Sequence, residues 1–281
     1  MKDHTNVLIY KNDYLTLKIN ANPFEISSII SKNGKEFIYQ REDGWLKSWP
    51  LCFPIVGRIK ENKYEYDGNF YELNGHGFFR SIVSWKITKL ENGFNFYYKH
   101  NGEFSNVYPF MFEISINIIL KKNIMEQTFE VKNLDNKQMP FQFGWHPAFN
   151  ISSQNSFVEF DIENELYELN PSVKPTNKNK VQKIALSDLD FSNSNSYGSE
   201  DNKASAFSIY DNQNRINMFA NNYPTYLIWK NKNQSNYICV EPWAGSVDKT
   251  YENNINIFSK KHINILDPEE SKTYSIKCEF I

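Results

Sequence analysis

Apolar and polar residues alternate along this chain over many short runs, which is the pattern of half-buried β-strands and not of helices. Residues 14–19 read Tyr-Leu-Thr-Leu-Lys-Ile, so that every second side chain is apolar. The same pattern predicts strands within residues 82–90, 94–98, 114–120, 125–131, 207–210, 226–229, 237–240 and 274–280.

Two of these pairs of runs are separated by turn residues and predict β-hairpins. Asn92-Gly93 stands between residues 82–90 and 94–98, and both residue types tolerate the positive φ angles of a tight turn. Lys122-Asn123 separates the next pair in the same way. Residues 150–202 differ, because they are rich in Ser and Asn and contain Pro171 and Pro175. This segment is expected to form long loops around one or two short strands.

Many short strands with regular turns are typical of a β-sandwich or barrel. The strand pattern resumes after residue 202, and the most distinctive motifs lie on both sides of the polar segment. We therefore expect one all-β domain over residues 1–281.

Composition narrows the classes of function. The chain has 281 residues, of which 40% are hydrophobic and 16% aromatic, so it can form a substantial core. A net charge of −2 and a pI near 6.2 give no electrostatic case for nucleic acid or an anionic membrane as partners. No apolar run is long enough for a signal peptide within residues 1–10 or for a membrane helix elsewhere.

The three cysteines, Cys52, Cys239 and Cys278, are odd in number and widely spaced. They indicate neither a disulfide framework nor a zinc ribbon, and they fit a reducing compartment. A soluble, cytoplasmic protein that is a monomer or homodimer is the resulting expectation.

Two of the five histidines have unusual neighbours. His76 lies between two glycines in Asn74-Gly75-His76-Gly77-Phe78-Phe79-Arg80, which leaves room around its imidazole. His146 precedes Pro147, which favours an extended backbone and an end to strand pairing. The aromatic residues around His146 suit an apolar, ring-shaped ligand. The remaining histidines are interpreted as structural, bonded to nearby loops: His4, His100 and His262.

A carboxylate and an arginine complete the candidate chemistry. Glu241 follows the predicted strand at residues 237–240 and precedes Pro242-Trp243, so a pocket wall could bury it and raise its pKa into the range of a useful base. Asp248 could orient a partner or could be an exposed turn residue. Arg58, in Pro54-Ile55-Val56-Gly57-Arg58, could reach a cleft or lie on the surface.

Several chemistries lack their motifs. The sequence has no His-Glu-x-x-His, no Cys-x-x-Cys, no Gly-x-Ser-x-Gly and no glycine-rich phosphate loop. Two histidines and a glutamate could bind zinc in principle, but no spacing favours a metal over acid–base work. We therefore expect neither a metal nor a cofactor.

Four segments together resemble the aldose 1-epimerase (galactose mutarotase-like) family, and within it the LacX-like branch with its related hexose-phosphate epimerases. The segments occur in the same order as in that family and spread over the chain from about residue 45 to about residue 250. They are Phe53-Pro54-Ile55-Val56-Gly57-Arg58, Gly75-His76-Gly77-Phe78-Phe79-Arg80, Gly144-Trp145-His146-Pro147-Ala148-Phe149 and Val240-Glu241-Pro242-Trp243-Ala244-Gly245.

The resemblance implies a large antiparallel β-sandwich with an open cleft, and sugar mutarotation as the activity. It implies His146 as the general acid and Glu241 as the general base, with His76 and Arg58 holding sugar oxygens. Trp145 and Trp243, with Trp45 or Trp229, are candidates to stack on the sugar or to pack in the core, and core packing is favoured for Trp229. The short His-Gly-Phe-Phe-Arg segment departs from the galactose mutarotases proper, so galactose is not assigned as substrate.

Three other functions stay open. Arg80 with Arg58 and Lys60 could cradle a phosphate, which would make the substrate a hexose 6-phosphate. A carbohydrate-binding protein without catalysis would use the same aromatic cleft. A structural β protein without a ligand is the third alternative.

Overall fold

The structure is a computed structural model, and it describes residues 7–42, 44–152, 155–212, 214–253 and 255–281. No α-helix occurs among these residues, so the all-β prediction is confirmed. Short 3-10 helices are present at Lys60–Asn62, Phe79–Ser81, Leu186–Asp188 and Ile257–Ser259. The strands are β1 (Val7–Lys11), β2 (Leu15–Ala21), β3 (Phe24–Ser31), β4 (Leu51–Cys52), β5 (Lys63–Tyr66), β6 (Asn69–Glu72), β7 (Lys86–Leu90), β8 (Gly93–Lys99), β9 (Phe112–Lys121), β10 (Ile124–Asn133), β11 (Met139–Phe141), β12 (Phe143–Trp145), β13 (Ala148–Asn150), β14 (Phe157–Glu168), β15 (Asn179–Ala185), β16 (Ser196–Ser199), β17 (Ala206–Asp211), β18 (Asn214–Phe219), β19 (Thr225–Trp229), β20 (Tyr237–Ala244), β21 (Asn264–Leu266) and β22 (Ser271–Phe280).

Both predicted hairpins form, with one difference in the turn. Strands β9 and β10 are joined by Lys122-Asn123 as predicted. In the β7–β8 hairpin, Leu90 pairs with Gly93, so the turn residues are Glu91-Asn92 and Gly93 already belongs to the strand. A Cβ atom on Gly93 would lie 1.8 Å from the carbonyl oxygen of Ile118 on β9. This glycine is therefore required by the close approach of a neighbouring strand, not by the turn.

The prediction for residues 150–202 is wrong. This segment contains β15, β16 and the 12-residue strand β14. The alternation along β14 is interrupted by a register shift between Glu159 and Asn164 and by three consecutive exposed residues, 161–163. A strand with one solvated face and a bulge does not show the clean period of two that sequence patterns detect.

Strand β14 joins the two halves of the largest sheet. One end pairs with β16 and the other with β17. The strand order on one side is β4-β12-β20-β19-β16, and on the other side it is β17-β18-β22-β10-β9-β8-β7. The halves face each other across an aromatic core, in which Phe143 of β12 stacks on Phe129 of β10 at 4.0 Å between ring centroids.

The main hydrophobic cluster includes residues from Leu15 to Phe280. Cys52, Cys239 and Cys278 are all buried and free. Among the described residues, no helix is long and apolar enough to cross a membrane. A single domain, a cytoplasmic location and the oligomeric state stay predictions.

A buried carboxylate fixes the segment that leads into β4. Glu25 is fully buried, and it accepts the backbone N–H groups of Ser48 at 2.6 Å and Trp49 at 3.1 Å. Arg41 donates to it at 2.8 Å, and Arg80 Nη1 lies 3.2 Å from it. Two cations and two backbone donors thus compensate the burial of one negative charge.

We expect Glu25→Gln to lower the free energy of unfolding by about 2–4 kcal/mol, because it leaves two arginines without their anion in a partly buried network. Urea denaturation would measure the change. Glu91→Gln, in the exposed β7–β8 turn, is the matched control and should stay within about 0.5 kcal/mol of the unchanged protein. Equal stability of the two variants would contradict the role given to Glu25.

Candidate active site

The register of β20 against two short strands brings His146 and Glu241 together. Both β12 and β13 pair with β20, and the ladder is interrupted between them. Gly144 lies opposite Trp243, and Ala148 lies opposite Cys239. The register is the same on both sides of the interruption, so His146 faces Glu241. Directly opposed residues of an antiparallel pair project to the same face of the sheet.

The side chains of this pair are close and almost completely buried. His146 Nε2 lies 3.4 Å from Glu241 Oε2. The relative exposure is 7% for His146 and 1% for Glu241. Neither His146 Nδ1 nor Glu241 Oε2 has a hydrogen-bond partner within the described parts of the chain. Unsatisfied polar atoms at such depth are rare unless a ligand or water completes them.

Strand β20 continues beyond the end that the sequence predicted for it. The strand does not stop at Val240; it runs through Glu241 and Pro242 to Ala244. Proline is tolerated inside a sheet where the ladder is interrupted, and the neighbouring strand is broken at His146-Pro147. As a result, Glu241 projects from a rigid strand and not from a loop.

Alternation along the strands decides which aromatic residues reach the site. Glu241 and Trp243 share the outer face of β20, whereas Trp145 projects into the core next to Phe143. The indole N–H of Trp145 donates to the Tyr223 hydroxyl at 2.6 Å. The prediction that Trp145 contacts the ligand is corrected accordingly, since it adjoins His146 in sequence and faces the other way.

His76 enters the same site from a tight turn. Its φ angle is 64°, and that of Gly77 is 71°. Its Nδ1 accepts the Gly57 N–H at 3.2 Å and lies 3.1 Å from the Cys52 sulfur. Because a backbone N–H can only donate, the neutral ring carries its proton on Nε2. The ring centroid is 5.2 Å from that of His146.

Burial sets the protonation of all three groups. It lowers the pKa of His76 to about 4, with the positive charges of Lys47 and Arg58 adding to the effect. Burial lowers the pKa of His146 well below its usual value, and His76 and Lys47 act in the same direction. Burial raises the pKa of Glu241 well above its usual value, opposed by Trp243 and Lys47. The His146–Glu241 pair therefore favours a state without net charge.

These residues line a cleft of about 760 Å³. Trp45 stacks on His146 with 5.2 Å between centroids, and Trp243 lies 5.8 Å from His76. Trp229, for which core packing was predicted, also lines the cleft, half-buried, with its N–H donating to the Ser194 carbonyl. Aromatic faces of this kind suit the apolar faces of a sugar ring.

Two cations and several amides complete the lining. Arg58 lies in the cleft, which is one of the two positions considered for it from the sequence. Lys47 also lines the cleft, and the sequence analysis did not identify it. The rim carries Asn170, Asn193, Asn195 and Asn231. Three of these four, Asn170, Asn193 and Asn195, belong to the polar segment 150–202, for which the sequence predicts long loops and no part in the site. Only the folded chain shows that part of this segment borders the site.

Arg80, Asp248 and Lys60 do not line the cleft, so none of them is a substrate-binding residue there. Arg80 pairs with Glu25. Asp248 accepts the Lys60 backbone N–H at 2.9 Å and the Lys260 ammonium at 2.6 Å. The Lys60 ammonium donates to the Glu252 carbonyl at 3.2 Å. The predicted phosphate cradle of Arg58, Lys60 and Arg80 is therefore not assembled.

Two other histidines have the structural contacts expected of them. His100 Nδ1 donates to the Phe110 carbonyl at 3.0 Å while its Nε2 accepts the Phe104 N–H, and His262 Nε2 donates to the Glu200 carbonyl at 2.8 Å. His4 lies outside the described residues.

The only group of three potential metal donors found within the described residues is His146, Cys239 and Glu241, whose donor atoms lie within 4.8 Å of one another.

Known proteins are similar to this chain in sequence and in fold. The family model described as aldose 1-epimerase matches residues 25–277. The chromosomal protein LacX of Lactococcus lactis subsp. lactis is 26% identical over 268 residues, which covers 87% of this chain and 90% of LacX. The X-ray structure of a galactose mutarotase related enzyme from Lactobacillus acidophilus has a TM-score of 0.87 at 27% identity, covering 98% of this chain and 97% of that one. A galactose mutarotase-like protein from Lactobacillus casei has a TM-score of 0.86 at 19% identity, covering 98% and 100%, and supports the fold alone.

We expect Gly77→Ala to destabilise the protein by about 2 kcal/mol more than Gly34→Ala. Both glycines have positive φ, at 71° and 88°. A Cβ on Gly77 would also lie 2.2 Å from the Phe53 carbonyl oxygen, whereas no atom lies within 4 Å of one on Gly34. The control thus carries the backbone strain without the clash. Urea denaturation measures the free energy of unfolding of both variants. An equal loss of stability would show that the clash with the Phe53 carbonyl relaxes, and that this close contact does not fix the turn of His76.

Proposed function

Since the chain belongs to the aldose 1-epimerase family, we propose that it interconverts the α and β anomers of an aldose by acid–base ring opening. The observation that supports this most is the buried, directly opposed pair His146–Glu241 at the base of an aromatic cleft. Mutarotation needs an acid and a base that act on two oxygens bonded to one carbon. Two groups 3.4 Å apart on one rigid face suit that requirement.

In the proposed step, Glu241 accepts the proton of the anomeric hydroxyl while His146 donates a proton to the ring oxygen. The bond between C1 and the ring oxygen breaks, and C1 becomes an aldehyde carbon. Rotation about the C1–C2 bond presents the other face of the aldehyde. Reversal of the two proton transfers then closes the ring as the other anomer.

The pair holds one transferable proton throughout this cycle. Before ring opening the proton is on His146, and after it the proton is on Glu241. Both arrangements have no net charge, and burial favours the second, in which the imidazole is neutral and the carboxyl group carries the proton. In this proposal the Nε2–H of His76 and the guanidinium of Arg58 donate to sugar oxygens, and both residues line the cleft.

We expect His146→Ala and Glu241→Gln each to lower the rate of anomer exchange by about 10²–10⁴-fold, because each removes one proton-transfer group. Polarimetry of freshly dissolved α-D-glucose and α-D-galactose, corrected for spontaneous mutarotation, measures the rate. Circular dichroism should show both variants folded. His262→Ala, which removes a histidine outside the cleft, is the control and should keep its activity.

A near-normal rate in either active-site variant would overturn the assignment of roles. Unaccelerated exchange of every sugar tested, together with measurable sugar binding, would instead establish a binding protein that uses the same cleft.

A phosphorylated aldose is the second candidate substrate. Lys47 and Arg58 both line the cleft, and neither makes an ion pair within the described ranges of the chain. Cations without an anionic partner beside a sugar site are suited to a phosphate group. This pair replaces the cradle that the sequence suggested with Lys60 and Arg80.

We expect Lys47→Gln and Arg58→Gln to lower kcat/KM for glucose 6-phosphate at least about tenfold more than for glucose, if the phosphate is the recognised group. Anomer-exchange NMR on both sugars measures the two values. Lys60→Gln is the matched control, since its ammonium bonds the Glu252 carbonyl outside the cleft. Equal losses on both sugars would show that the cations bind hydroxyls that the two substrates share.

A further inference from the structure

One cysteine of the site has no part in the proposed ring opening. Cys239 lies on β20 two residues before Glu241, on the same face, and opposite Ala148. It is completely buried. Its sulfur, the His146 imidazole and the Glu241 carboxylate have donor atoms that all lie within 4.8 Å of one another.

We propose that His146, Cys239 and Glu241 also form a binding site for a zinc-class divalent cation, and that the bound cation excludes the sugar. Thiolate, imidazole and carboxylate are the ligand types that zinc takes in proteins. Three protein ligands leave one tetrahedral position open. Two of the three, His146 and Glu241, line the cleft. Binding is independent of the proposed function, whereas the blocking effect rests on it.

The spacing of the donors is close to what the cation requires. Zinc bonds of about 2.0–2.3 Å place tetrahedral ligand atoms roughly 3.3–3.8 Å apart. His146 Nε2 and Glu241 Oε2 are already 3.4 Å apart. The other separations, at no more than 4.8 Å, need a contraction of about 1.5 Å at most. Small rotations of side chains on adjoining strands suffice for such a change.

The charge balance of the three ligands also favours a divalent cation at this site. A divalent cation with one thiolate, one carboxylate and one neutral imidazole has no net charge, so its burial leaves no uncompensated ion. The Glu241 Oε2 atom lacks a hydrogen-bond partner among the described residues, and as a ligand of the cation it would gain a partner. The cation would stand between the two groups that the ring opening uses, and the sugar oxygens would lose access to them.

The direct test is a titration of the metal-free full-length chain with Co²⁺, a spectroscopic substitute for Zn²⁺. We expect visible bands of a tetrahedral ion and a near-ultraviolet charge-transfer band from a thiolate ligand, both lost on addition of Zn²⁺. Cys239→Ala should abolish the charge-transfer band and weaken Zn²⁺ binding at least about tenfold, since even the outer partners of metal ligands are worth 10–100-fold in affinity.

Cys278→Ala is the matched control, because it removes another buried thiol, on β22, and should leave the spectrum unchanged. A charge-transfer band that survives in Cys239→Ala and disappears in Cys52→Ala would overturn the ligand set. No bands in the unchanged protein at millimolar Co²⁺ would overturn the site altogether, and this result does not depend on how any variant folds.

The blocking effect is measured separately, by anomer exchange with and without Zn²⁺. We expect Zn²⁺ to raise the apparent KM at least tenfold, EDTA to reverse it, and Cys239→Ala to be correspondingly less sensitive. Binding without a change in rate, or activation by Zn²⁺, would overturn exclusion of the sugar. The two proposals can fail separately. If the chain binds Co²⁺ as described but, when free of metal, accelerates the anomer exchange of no sugar, the proposed function is contradicted and the metal site is not.

Discussion

The constraint on which the site depends is the constant register of β20 against β12 and β13. A break in a β-ladder commonly shifts the register, and a shift of one residue would turn Glu241 or His146 to the opposite face. Here the pairing resumes after His146-Pro147 in the same register. The histidine thus leaves the regular ladder while its side chain stays directly opposite the carboxylate. Two residues almost a hundred positions apart are held in contact by backbone hydrogen bonds on either side of the gap.

The same strands separate two environments by alternation alone. Phe143 and Trp145 of β12 pack into the aromatic core, where Trp145 bonds Tyr223. His146, Glu241 and Trp243 lie on the opposite side and line the cleft. Strand β20 is buried along its whole length, so Glu241 projects from a strand that is packed on both faces. Lys47 and Trp45, which complete the cleft, come from a less regular segment that the buried Glu25 secures at Ser48 and Trp49.

Burial determines which protonation and charge states the residues of this site favour. A histidine and a glutamate with opposite pKa shifts hold one proton between them without net charge. That condition suits a proton relay between two oxygens of a sugar. The adjacent thiol of Cys239 extends the same neutral arrangement to a divalent cation with its charge fully compensated. Both proposals thus depend on one physical property, which is that a buried site favours arrangements without net charge.

The sequence by itself determined the all-β class, nine of the 22 strands in the described residues and the hairpin at Lys122-Asn123. It also singled out His76, His146, Glu241 and Arg58, which all line the cleft. These follow from local rules, since alternation, turn residues and the neighbours of a histidine are all visible over a few positions. It misplaced the β7–β8 turn, missed β14 and could not assign faces to Trp145, Arg80 or Asp248. Those outcomes depend on partners distant in sequence: the Ile118 backbone beside Gly93, a bulge in β14, Glu25 for Arg80 and Lys260 for Asp248. Only the tertiary structure could bring Lys47, Trp229 and Cys239 to the site, because strand register and side-chain direction are set by pairing across the sheet and not by the residues next to them in the chain.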